Sequence, residues 1–265
     1  MIRRPGGELA TRPLHFIWIA DCSGSMKSNG KIQALNTAIR EAIPHMQKVA
    51  DENPNAHVLV RAVKFSSGAQ WHVAEPTPVA DFKWNDLGAG GTTDMGKALT
   101  LVADQLKIPP MSDRALPPVL VLISDGQPTD NFAKGLDTLM AEPWGKKAVR
   151  IAIAIGEDAD REVLQQFIGH PELTPLQANN PEALVNYIRW VSTAVLQSAS
   201  SPASQTRQSQ AAGGTGSHPN GQVNGQANGT TGTSGTNGLA APAMNVPIPV
   251  LADSTGGPAT AADVW

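Results

Sequence analysis

Three short pieces of the chain, far apart in sequence, bring together side chains that can hold a hard cation. They are Asp21-Cys22-Ser23-Gly24-Ser25, then Gly90-Gly91-Thr92-Thr93-Asp94, then Ser124-Asp125-Gly126. Mg²⁺ takes near-octahedral oxygen ligands at ~2.0–2.1 Å and keeps waters readily. In Asp21-x-Ser23-x-Ser25 alternate side chains turn toward one point as the chain leaves a strand. The Ser23 and Ser25 hydroxyls would bind directly, and Asp21 directly or through a water. A third hydroxyl and a second carboxylate must come from other loops, and Thr93 and Asp125 can supply them. So few direct carboxylates leave a metal electrophilic, and an outside Asp or Glu could complete its shell.

Each residue also has an ordinary structural role. Asp and Ser cap helices, Asp125 before Gly126 suits a turn, and Thr92 or Thr93 suits an N-cap. What favours a shared site is the position of the residues. Asp21 and Asp125 each follow an apolar run, residues 14–20 and 119–123, that reads as a buried strand. Ligands of open α/β sheets sit beyond the carboxyl ends of the strands, where strand order switches.

The elements follow from periodicity. Ile32, Leu35, Ile39, Ile43, Met46 and Val49 have helical spacing, with Pro44 expected to bend or shorten the helix. Residues 57–65 read as a second strand, and 69–73 as a third that pairs with it through the turn at Ser66-Ser67-Gly68. Residues 74–91 read as a long loop. Met95, Leu99, Val102 and Leu106 form a helical stripe. Helices are expected over 132–140, 160–168 and 181–197, and strands over 149–155 and near Leu176. Strands alternating with helices predict an α/β fold, a doubly wound and mostly parallel sheet with one antiparallel edge strand.

At 265 residues the chain divides by composition. Residues 1–11 are an N-terminal extension and 12–197 a globular domain. Residues 198–240 are Gly, Ser, Asn, Gln, Thr and Ala, too polar to offset the entropy of ordering. They read as a flexible linker spanning roughly 35 Å. Residues 241–265, with Ile248, Val250, Leu251 and Trp265, form a disordered tail with a candidate docking segment. The net charge of −3, with acids and bases mixed, gives no basic footprint for nucleic acid. The apolar run at 16–20 is too short for a membrane span, and nothing resembles a signal peptide. A lone cysteine, Cys22, fits a reducing cytoplasm.

Catalytic alternatives are thin. The stretch from Gly91 to Lys97 nearly matches a P-loop, with Asp125 as the metal carboxylate of an ATPase. Ala98 lacks the required hydroxyl, and residues 82–90 make a poor strand where a P-loop needs one. Ser23 and Ser25 have no nucleophile-elbow context. Cys22 alternates away from the serines. His15, His45, His57, His72, His170 and His218 show no metal spacing. Trp71 and Trp84 flank the long loop and are read as packing residues.

On these motifs the chain resembles von Willebrand factor A domains that carry a metal-ion-dependent adhesion site. The family pattern maps to Asp21, Ser23, Ser25, Thr93 and Asp125. Thr93 is preferred to Thr92 because the family places Ala-Leu five and six residues later, as Ala98-Leu99 does here. The resemblance implies a Rossmann-like fold, Mg²⁺ or Mn²⁺, and a non-enzymatic protein-binding role. Met26 after the first motif, Val63-Lys64-Phe65-Ser66 and the stretch Ile123-Ser124-Asp125-Gly126-Gln127-Pro128-Thr129-Asp130 are similar to the bacterial TerY-like group. That implies an adaptor of a stress or tellurium-resistance system, with an associated kinase or phosphatase as partner.

Overall fold

Segments rich in Val, Ile, Leu and Phe make strands that must be covered on both faces, and four such segments lie side by side in this sheet. The computed structural model describes residues 11–53 and 55–200. In chain order, β1 (Arg12–Asp21) leads through a 3₁₀ turn (Gly24–Gly30) into α1 (Lys31–Asp51). Then come β2 (Ala56–Ser66), β3 (Gly68–Pro78), α2 (Met95–Ala103) and β4 (Val119–Ser124). They are followed by α3 (Phe132–Ala141), α4 (Pro143–Lys147), β5 (Val149–Ile155), α5 (Arg161–Ile168) and β6 (Leu176–Ala178). The described chain ends in α6 (Pro181–Trp190), a π-helical turn (Val191–Val195) and α7 (Leu196–Ser200).

The sheet order is β3-β2-β1-β4-β5-β6. All pairs are parallel except β2 with β3. This is the expected mostly parallel, Rossmann-like α/β sheet with one antiparallel edge strand. Alternate residues of β1 feed two cores. Leu14, Phe16 and Trp18 pack with α1 and α6, while Ile17 and Ile19 pack with α2, α3 and α5. The chain leaves β1 toward β2 on one side and reaches β4 on the other. The crevice for a ligand therefore opens between the ends of β1 and β4. Ala20 lies opposite Ile123, so Asp21 and Ser124 end their strands together.

Three local expectations need correction. Pro44 does not shorten α1, which runs unbroken through it for 21 residues. β3 extends to Pro78, so the loop starts later than expected. Pro76 and Pro78 are tolerated because β3 is an edge strand and owes no N–H to a further neighbour. Leu106 lies past the end of α2 but is fully buried. The remaining loop is tied to α1 by Asn36. Its amide donates to Leu87 O (2.9 Å), and its Oδ1 accepts from Leu87 N (2.9 Å) and Trp84 Nε1 (3.0 Å).

Among the described residues no helix is long and apolar enough to cross a membrane. The last helix runs through Ser200, three residues past the expected boundary at 197. The expected linker from residue 201 onward, the docking segment at 241–265 and residues 1–10 lie outside the described residues.

Candidate metal centre

Asp21 closes β1 with its side chain fully buried. A buried carboxylate needs donors on both oxygens. Oδ1 accepts from Ser23 N (2.7 Å), the turn that starts the 3₁₀ segment, and Oδ2 accepts from Ser124 Oγ (2.5 Å) at the end of β4. Both donors are neutral. Burial raises the Asp21 pKa above the usual carboxylate value, against the opposing hydrogen bonds from Ser124 and Ser23, and the nearby Asp125 adds to the rise.

The second oxygen group is a chain of hydroxyls. Ser25 Oγ donates to Asp125 Oδ1 (2.7 Å), and Ser23 Oγ lies 3.0 Å from Ser25 Oγ. Ser25 has one proton and gives it to Asp125, so Ser23 donates to Ser25. Lone pairs on both hydroxyls remain open. Ser23 is buried, whereas Ser25 faces solvent at the mouth of the crevice. The other Asp125 oxygen, Oδ2, accepts from Lys31 Nζ at 2.9 Å, inside a nearly dry pair.

The third piece is the loop before α2. Gly24 N donates to Gly91 O (3.0 Å) and Gly90 N to Cys22 O (2.7 Å), which seats the loop against the first motif. Gly91 has φ +88, and a Cβ there would stand 2.6 Å from Ser67 Oγ, so only glycine fits this approach. Thr93 is buried and Thr92 exposed. Thr92 Oγ1 turns to Ser67 Oγ (3.2 Å) and leaves the crevice. Thr93 Oγ1 and Ser25 Oγ instead flank Gly126, at 3.7 and 3.6 Å from where its Cβ would be. The five expected residues thus converge, with Thr93 rather than Thr92 turned inward.

The group suits a hard cation. Its donors are oxygen only, three are neutral hydroxyls, and Asp21 is a buried carboxylate without a cationic partner among its hydrogen bonds. Among the described residues no three His, Cys, Asp or Glu side chains gather in a way that could hold a metal ion, so a cation here would depend on the hydroxyls.

Several supporting residues were invisible to spacing. Thr129 Oγ1 accepts from Thr93 N (2.9 Å) and donates to Asp94 Oδ1 (3.3 Å). Asp130 receives Gly96 N and Lys97 N, both at 2.8 Å, and so caps the start of α2. Ser124 directly precedes Asp125 at the end of its apolar run, where strand alternation can aim it at Asp21. Lys31 had no such signal, because a lysine opening an amphipathic helix usually faces water.

The alternatives gain nothing here. Residues 82–90 are not a strand, and Lys97 Nζ bonds Asp94 Oδ2 (2.6 Å) at the surface. Cys22 is buried, and burial, with the Asp21 charge second, pushes its thiol up to about 12. Trp84 is buried on Asn36, and Trp71 lies under the Arg61 guanidinium (4.8 Å).

The family model for the von Willebrand factor type A domain matches residues 17–186. Among solved structures, the ArnB paralog VWA2 of Sulfolobus acidocaldarius is similar at 21% identity and TM-score 0.51, covering 67% of this chain and 44% of its own. A von Willebrand factor type A protein of Catenulispora acidiphila gives 18% and 0.52, covering 71% and 43%. Proximal thread matrix protein 1 of the mussel byssus, with a zinc-occupied MIDAS motif, gives 17% and 0.53, covering 73% and 49%. The chain therefore spans less than half of each of these structures, and at such identities the likeness is one of fold. No curated protein matches the sequence.

Proposed function

The chain belongs to the von Willebrand factor type A domain family, and from that premise we propose that it is a divalent-cation-dependent protein-binding adaptor rather than an enzyme. The observation that carries the proposal is the convergence of Asp21, Ser23, Ser25, Thr93 and Asp125 at the β1/β4 switch point. Ser23, Ser25 and Thr93 offer neutral oxygens. Asp125 orients Ser25 by accepting its hydrogen bond, and Ser124 orients Asp21 by donating one. A bound cation would supply Lewis acidity toward an incoming carboxylate. Oxygen-only donors favour Mg²⁺ or Mn²⁺, and the zinc of the mussel protein supports the general class of occupant.

The partner group we propose is an Asp or Glu side chain of another protein, at the solvent-facing side of Ser25. Placement in a cytoplasmic bacterial stress or tellurium-resistance system, beside a kinase or phosphatase, rests on the TerY-like motifs alone. Titration of Mg²⁺ and Mn²⁺ into native and Asp21→Ala protein tests the site, and equal binding by both would sink the assignment. Affinity capture with and without EDTA tests the adaptor role. Metal-dependent ATP hydrolysis abolished by Lys97→Ala would replace it with a nucleotide-hydrolysing enzyme.

A further inference from the structure

Lys31 stands outside the donor set just described, yet it is built into the centre. It opens α1 directly after Gly30, whose φ of +72 turns the chain inward at that point. Its side chain is 6% exposed and that of Asp125 is 0% exposed, with Nζ 2.9 Å from Oδ2. A buried ammonium persists only where a fixed opposite charge compensates its lost hydration. Asp125 is held on its other oxygen by Ser25, so the pair is locked to the hydroxyl chain. Lys48, near the far end of α1, is exposed.

The charge count gives Lys31 a consequence for binding. With both carboxylates deprotonated, as cation binding requires of its ligands, Asp21, Asp125 and Lys31 sum to one net negative charge. A divalent cation turns this into one net positive charge, whereas without Lys31 the loaded centre would be neutral. Like charges a few ångströms apart in a low-dielectric crevice repel strongly. On the metal-binding reading above, we propose that Lys31 sets the charge of this centre. It weakens divalent-cation binding in the free domain and keeps the loaded centre positive toward an acidic partner group.

The test uses the full chain as wild type, Lys31→Met, Lys31→Gln and Lys31→Arg, with Lys48→Met as the surface control. Mn²⁺ is titrated calorimetrically, and acetate is then titrated into the Mn²⁺-loaded proteins while water-proton relaxation is followed. Both neutral variants should bind Mn²⁺ at least tenfold more tightly than wild type and acetate more weakly. Lys31→Arg should keep wild-type behaviour in both titrations, which a merely structural role for the lysine stem would not predict. Lys48→Met should change neither value by more than about twofold, since an exposed charge about 25 Å along α1 from Lys31 lies beyond the screening length. Should the neutral variants unfold without cation, the Mn²⁺ concentration that restores their melting transition reads the same affinity. Wild type that binds Mn²⁺ as tightly as both neutral variants, or more tightly, overturns the role of Lys31 and leaves the metal site standing. Absence of Mn²⁺ binding in every protein overturns both.

Discussion

Both carboxylates of the centre are engaged by their own chain before any ligand arrives, and this makes the serines the adjustable part. Ser25→Ala removes the donor to Asp125 Oδ1 and a free oxygen at once. It should cost about 1 kcal/mol in stability and weaken Mn²⁺ binding at least tenfold, read by melting and calorimetry. A second residue-scale prediction concerns His15, at the buried start of β1. Burial, then the Arg61 charge and then His57, bring its pKa down to about 4 from 6.5. The unfolded chain therefore takes up a proton between pH 6.5 and 4 that the folded chain refuses. Stability is highest above pH 6.5 and falls as the pH drops through that window, by about 3 kcal/mol in all. Melting curves of wild type and His15→Gln across that range should converge at low pH, and parallel curves would remove His15 from the account. Chemistry of this kind was legible where type and position agreed. Asp21, Ser23, Ser25, Thr93 and Asp125 are oxygen donors at strand ends or before a helix. Lys31 was not legible, because its meaning lies in a contact with residue 125 that no local pattern encodes.

At the scale of elements, the centre depends on how α2 is seated, since Thr93 lies two residues before that helix. Gly96 on α2 and Gly135 on α3 let the two helices meet backbone to backbone. A Cβ on Gly135 would stand 2.3 Å from Gly96 O, and one on Gly96 2.4 Å from Asn131 O. Gly135→Ala must push the helices apart. We expect a loss of about 1–3 kcal/mol, several degrees in melting temperature, together with weaker Mn²⁺ binding because Thr93 moves with α2. Unchanged cation affinity in a destabilised Gly135→Ala protein would show that the Thr93 loop is positioned independently of the crossing. The glycines were plain in the sequence, but their purpose was not, because it arises between helices 39 positions apart by the numbering. The same limit explains the misjudged prolines. Pro76 and Pro78 looked like loop residues until β3 was known to be an edge. The five-residue α4 was too short to show any period. β4 and β5, by contrast, were legible as nearly continuous apolar runs, because strands covered on both faces leave few polar positions to confuse the pattern.

Across the whole molecule, the candidate cation centre and the end of the described chain lie at opposite ends of α1. Lys31 begins that helix beside Asp125. Its 21 residues span roughly 30 Å. Beyond its far end, Asn53 Nδ2 donates to Ser200 Oγ (2.5 Å), and Ser200 Oγ donates to Leu196 O (2.8 Å). Leu196, Ala199 and Ser200 are buried, so α7 completes the core on the α1 side of the sheet. The residues after it are Gly, Ser, Asn and Gln in long succession, a composition that adds little apolar surface to a core. Two truncations therefore separate the parts. A chain ending at Ser200 should melt and bind Mn²⁺ like the full chain. A chain ending at Gln197 should melt several degrees lower, because it uncovers Leu196 and leaves Asn53 without Ser200, yet it should keep its cation affinity across the length of α1. Partner capture should fall in the chain ending at Ser200 only if residues 241–265 hold a docking segment, whose tethering would raise its effective concentration once the centre is engaged. A lower melting temperature for the chain ending at Ser200 would assign part of the later sequence to the core, and with it a larger folded unit than the six strands and seven helices described.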